Sequence, residues 1–98
     1  MSTTGTEAKL LVVDDEPNIR DLLASSLRFA GFDVVTAEDG SGAFHEAQAS
    51  LPDRIFLDVM LPDMDGLTVT RRVRDAGITT PVLFLTARDD MRDKIQGL

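Results

Sequence analysis

Ile55-Phe56-Leu57-Asp58-Val59-Met60-Leu61-Pro62-Asp63-Met64-Asp65-Gly66 sets three large apolar residues directly before a carboxylate. Apolar residues in unbroken succession suit a strand buried on both faces, as in a parallel sheet, rather than the alternating strand of a half-solvated one. An earlier run, Leu10-Leu11-Val12-Val13, has the same character and ends in Asp14-Asp15. If these two strands are parallel neighbours, their carboxyl ends bring three acids together. Such a cluster is costly unless a divalent cation or a shared proton offsets it.

Short apolar runs recur at Val34-Val35 and at Val82-Leu83-Phe84-Leu85. Segments of helical spacing lie between them, and Ile19, Leu22, Leu23, Ser26, Leu27 and Ala30 trace one stripe on the first. Asp15 or Glu16 as cap and Pro17 in the first turn open that helix, and Gly31 ends it before a strand over 33–37. Ala43, Phe44 and Ala47 give a second helix over about 41–50. Pro52-Asp53 then leads into the third strand.

A third helix follows Gly66, with Leu67, Thr70 and Val73 inward and Arg71, Arg72 and Arg74 outward, and Gly77 marks its end. Pro81 opens a fourth strand, 82–86, and Met91, Ile95 and Leu98 begin a fourth helix. Strict alternation of strand and helix, with right-handed crossovers, predicts an α/β fold: a doubly wound parallel sheet covered by helices on both faces.

The 98 residues are 43% hydrophobic and 28% charged, which suits one domain with a single modest core. Residues 1–8 read as a flexible tail and 9–98 as the folded unit. No apolar stretch approaches the roughly 20 residues a bilayer span needs, and the start lacks a basic and then apolar leader pattern, so the reading is cytoplasmic. The absence of cysteine excludes disulfides, thiolate metal sites and cysteine nucleophiles. A net charge of -7 argues against this segment gripping a phosphate backbone by itself.

Ligands of open parallel sheets bind beyond the strands' carboxyl ends, where strand order reverses. Asp14, Asp15 and Asp58 stand at such ends, and an all-oxygen donor set suits Mg²⁺ better than Zn²⁺. A carboxylate beside Mg²⁺ can attack phosphorus to form an acyl phosphate, which makes Asp58 the candidate nucleophile. Thr86 offers a hydroxyl at the fourth strand's end, and the small Ala87 leaves room for a phosphoryl group.

Leu-Val-Val-Asp-Asp-Glu-Pro (11–17), Leu-Asp-Val-Met-Leu-Pro-Asp-Met-Asp-Gly (57–66) and Leu-Thr-Ala-Arg (85–88) together resemble the receiver domain of two-component response regulators, over residues 9–98. The stretch from Thr86 to Leu98 further resembles the OmpR/PhoB-like class, whose second domain is a DNA-binding winged helix. The resemblance implies a flavodoxin-like sheet of order 2-1-3-4, with Asp58 as phosphoacceptor and Thr86 as switch hydroxyl. It also implies Asp15, Asp58 and the Met60 backbone carbonyl as direct Mg²⁺ ligands, with Asp14 acting through water. The implied donor is a phosphohistidine on a sensor histidine kinase, docking near Asn18 and Ile19. Phosphotransfer and later autodephosphorylation at Asp58 would be catalysed by the receiver itself, so this is not turnover of a separate substrate.

The chain departs from the family pattern at its end, where a complete receiver has a fifth strand ending in Lys-Pro, with an aromatic switch residue, and a fifth helix. The only lysines are Lys9 and Lys94, and no Lys-Pro pair occurs. The sequence therefore reads as an incomplete receiver, either a truncated part of a longer protein or a naturally short one. Any DNA contact belongs to an effector domain that these residues do not include. An uncovered fourth strand predicts an apolar edge and self-association.

An Asp-Asp pair after a strand is commonly turn or cap chemistry, and an acid like Asp58 can be an exposed strand end. Asp63 and Asp65 are expected to shape the loop before Gly66. A calcium loop there would need acids at Leu61 and Arg72, and Pro62 interrupts the strand that an aspartate-nucleophile phosphatase would need. Gly40-Ser41-Gly42 follows the second strand rather than the first and reads as a helix start, not a dinucleotide fingerprint. His45 has no partner acids at ligand spacing and reads as a surface residue. A flavin-binding protein of similar topology is disfavoured, because no Ser/Thr/Gly-rich phosphate loop follows the first strand. The rival from another class is a non-phosphorylated pseudo-receiver or fragment acting as an interaction and dimerisation module.

Overall fold

In the computed structural model, which describes residues 8–85, the strand β1 (Lys9–Val13) has Leu10 to Val13 fully buried, and the rest of the sheet is assembled on it. β2 (Asp33–Ala37) pairs with one side of β1 and β3 (Arg54–Leu57) with the other, both parallel. β4 (Val82–Phe84) adds to the far side of β3 and gives the order β2-β1-β3-β4. This is the flavodoxin-like order that the sequence implies. The amide of Leu85 donates to the Leu57 carbonyl over 3.0 Å and continues the ladder one residue past β4. The expected fourth helix lies outside the described residues.

Helices fill the crossovers: α1 (Pro17–Phe29), α2 (Gly40–Ser50) and α3 (Gly66–Asp75). Alternate residues of β1 serve different cores. Leu11 and Val13 join Ala43, Ala47, Ile55, Leu57, Val69 and Val73 under α2 and α3. Val12 joins Ala24 and Val34 on the opposite face, flanked by Leu23, Leu27, Phe32 and Phe56. Burial on both faces is why the strand's sequence shows no polar alternation.

Two helical faces differ from expectation. On α1 the buried residue is Ala24, with Leu23 and Leu27 half-buried, while Ile19, Leu22, Ser26 and Ala30 are exposed. The small Ala24 packs with Val12 and Val34 of the sheet, and the bulkier Leu23 and Leu27 flank it. On α3 the stripe is Gly66, Val69 and Val73, and Leu67 is 59% exposed. Leu67 stands about 100° around the helix from Gly66, so its hydrophobicity did not place it inward. The arginines at 71, 72 and 74 do face out.

α1 and α3 end alike. The amides of Gly31 and Phe32 donate to the carbonyls of Arg28 and Leu27, and those of Gly77 and Ile78 to Arg74 and Val73. Both glycines have positive φ, 104° and 84°, and both following residues are apolar, which is the Schellman arrangement. α2 ends instead on Leu51, a non-glycine residue at φ 50°.

Candidate functional site

Register brings the acids together. Val13 is paired with Leu57, so the next residues, Asp14 and Asp58, emerge side by side at the carboxyl ends of neighbouring strands. Backbone bonds hold both: the Asp58 amide donates to the Val13 carbonyl (3.0 Å) and the Asp14 amide to the Ala37 carbonyl (3.2 Å). β1 is followed on one side by β2 and on the other by β3, so this gap is the switch point at which α/β sheets bind ligands.

Asp14 and Asp58 are buried, at 4% and 3% exposure, whereas Asp15 is exposed. One carboxylate oxygen from each of the three lies within 4.8 Å of the others. They open on a cleft of about 440 Å³ whose wall also includes Glu16, Ile19, Leu23 and Leu85. An all-carboxylate set of this kind, partly dry and partly open, fits a hard divalent cation that keeps some of its water.

The surrounding backbone is well fixed. Asp14 Oδ1 accepts from the Glu16 amide (2.9 Å), and the Arg20 guanidinium donates to the Asp14 carbonyl (2.9 Å). Glu16 occupies the cap position of α1, but its side chain makes no capping bond there. The Met60 amide lies 3.4 Å from Asp58 Oδ1, a long contact, and Met60 itself is half-exposed on the loop that follows β3. Thr86 and Ala87 lie outside the described residues.

That loop, residues 58–66, is folded back on itself. The Gly66 amide donates to the Val59 carbonyl (2.7 Å), and Met60 and Asp65 form an antiparallel bridge. Asp65 caps α3 by accepting from the Thr68 amide (2.7 Å), and the Thr68 amide and hydroxyl hold its carboxyl below the usual range. Asp63 reaches across to α2, where its two oxygens accept from the amides of Gly40 (2.8 Å) and Ser41 (2.9 Å). The Gly40 bond foremost, and the Ser41 bond with it, lower the Asp63 pKa.

Asp63 does lie in the loop, as expected, but its partners are 22 and 23 residues away and carry no local signal in the sequence. Arg20 was not expected at the site, and its place one turn into α1 was the available signal. Gly40-Ser41-Gly42 does begin α2, and His45 is exposed on it.

The family model of the response regulator receiver domain matches residues 10–98. The chain is 46% identical over 94 residues to the transcriptional regulatory protein TrcR of Mycobacterium tuberculosis (strain ATCC 25618 / H37Rv), covering 96% of this chain and 37% of TrcR. It is 48% identical over 90 residues to the alkaline phosphatase synthesis transcriptional regulatory protein PhoP of Bacillus subtilis (strain 168), covering 92% of this chain and 38% of PhoP. The chain thus spans under two-fifths of the length of these two relatives, both of them transcriptional regulators. Among solved structures, the receiver domain of the Francisella response regulator 1452 superposes with a TM-score of 0.79 at 33% identity, over 93% of this chain and 75% of that one. With strand order, acidic gap and family model in agreement, the chain belongs to the response regulator receiver domain family.

Proposed function

We propose that the chain is a phosphoacceptor receiver that takes a phosphoryl group onto Asp58 from a phosphohistidine on a sensor histidine kinase. One observation carries the reading: two buried carboxylates and a third, exposed one converge within 4.8 Å at the switch point of the sheet. In the step itself an Asp58 carboxylate oxygen attacks phosphorus in line, an O–P bond forms, and the N–P bond to the donor imidazole breaks. Asp15, Asp58 and the Met60 carbonyl would hold Mg²⁺ directly and Asp14 through water. Bound there, the ion would offset charge on the phosphoryl oxygens in the transition state. Thr86 would donate its hydroxyl to the phosphoryl group and Ala87 would leave space for it.

The kinase would dock on the exposed face of α1 near Asn18 and Ile19, in the cytoplasm. Output would pass through homodimerisation and a DNA-binding effector domain of the OmpR/PhoB-like class, in line with the transcriptional relatives. Intact mass after incubation with acetyl phosphate and Mg²⁺ tests the reading. A single phosphoryl adduct is expected, and none in Asp58→Asn; an adduct that persists in the variant overturns the assignment.

A second reading, an interaction module that is not phosphorylated, draws on β4, the outer strand among the described residues. Leu83 and Phe84 of β4 are 45% and 41% exposed, and Leu83 joins Leu27, Phe32 and Phe56 in lining an apolar groove. Self-association by light scattering, together with no saturable Mg²⁺ binding, would favour it.

A further inference from the structure

We propose that Asp63 is a positioning residue for the acidic site, acting through the loop that carries Met60; the inference rests on the phosphoacceptor reading. Met60 stands on residues 58–66, a loop that leaves β3 at Asp58 and returns at Gly66. Near its base the Gly66–Val59 bond closes it. At its far side Asp63 binds two amides of α2 at once.

Those amides belong to the part of the chain that already holds Asp14. Ala37, at the end of β2, accepts from the Asp14 amide, and α2 starts three residues later. The bonds therefore close a ring: Asp14 to Ala37, along the chain to Gly40 and Ser41, across to Asp63, back through Met60 to Asp58, and by the next rung to Val13. Packing reinforces the crossing. Met64 joins the larger core, and its side chain occupies the space that a Cβ at Gly40 would need.

Helix capping alone does not require this arrangement. Asp39, the local cap, already accepts from the Gly42 amide (2.7 Å), as an N-cap does for the third helical residue. Asp63 takes the two amides before it, and does so from the loop of the proposed cation ligand. A carboxylate is suited to the task, because two acceptor oxygens meet two adjacent donors at the positive end of a helix.

Asp39 thus supplies the control. In the full chain, Mg²⁺ titration followed by amide NMR shifts compares wild type with Asp63→Ala, Asp63→Asn and Asp39→Ala. Loss of an outer group that orients a metal ligand typically costs 10–100-fold in affinity. Asp63→Ala is expected to weaken Mg²⁺ binding about tenfold, Asp63→Asn, with one acceptor left, by less, and Asp39→Ala to stay within about twofold of wild type. If Asp63→Ala fails to fold, Asp63→Asn carries the comparison. Equal effects of the Asp63 and Asp39 variants, or none from Asp63, would reduce Asp63 to a cap and overturn the inference, while saturable binding by wild type leaves the phosphoacceptor reading standing. Wild type that binds no Mg²⁺ overturns both.

Discussion

The Asp58 amide donates to the Val13 carbonyl over 3.0 Å, so a single rung of the β1–β3 ladder sets the Asp58 carboxylate beside that of Asp14. Backbone pairing thus places the two acids side by side. Like charges in such proximity disfavour one another.

Removing one charge should therefore stabilise the metal-free chain. Asp58→Asn is expected to raise its unfolding free energy by on the order of 1 kcal/mol, the scale of close charge interactions in a partly solvated site. Mg²⁺ should then stabilise wild type by mass action and leave the variant nearly unchanged. Thermal melts with and without Mg²⁺ check both halves, and equal Mg²⁺ shifts in the two proteins would count against Asp58 as a ligand.

Asp63 and Asp65 should give the fold an acid-sensitive component. Backbone amides lower both carboxyls in the folded state, below the ordinary value of 3.8. A depressed folded value contributes stability that is complete above the unfolded value and lost as pH falls through the folded one. Asp63→Ala and Asp65→Ala are thus expected to be less stable than wild type at neutral pH and to converge with it once pH drops well below 3.8. Urea unfolding across that range would show the convergence, and a gap independent of pH would refute it.

Leu51 ends α2 in the left-handed region at φ 50° and is 68% exposed. A side chain gains little there and the conformation favours glycine. Leu51→Gly should stabilise the chain by a few tenths to about 1 kcal/mol, after allowing for the extra freedom of glycine in the unfolded state. Denaturant midpoints at unchanged slope would measure it.

Two leucines should behave differently. Leu11→Ala opens a cavity in the larger core and is expected to cost about 2–5 kcal/mol. Leu67→Ala, on the outer side of α3, should stay within about 0.5 kcal/mol of wild type. Similar losses for the two would mean that Leu67 is buried in solution.

Much of this was legible because the sequence carries local signals for it. Unbroken apolar runs announced strands buried on both faces, and the carboxylates after Val13 and Leu57 announced the site once those strands were taken as parallel neighbours. Helix faces were harder. Leu67 and Ile19 read as core by hydrophobicity, but the buried faces carry Gly66, Val69 and Val73 on α3 and Ala24 on α1, where the small residues give no hydrophobic signal. The Asp63 crossing was illegible because its partners are distant along the chain and are backbone amides, whose availability depends on where α2 begins.

The division of the interior into two cores also implies an order of assembly. Among the described residues, all of the smaller core except Phe56 comes from residues 12–34, within one strand-helix-strand unit. The larger core draws on residues from Leu11 to Val82 and closes only after later strands arrive. Local closure costs less chain entropy than distant closure. Amides of β1 and β2 are therefore expected to gain protection in pulsed hydrogen exchange before those of β3. The acidic pocket, which needs β3, would be among the last features a folding chain acquires.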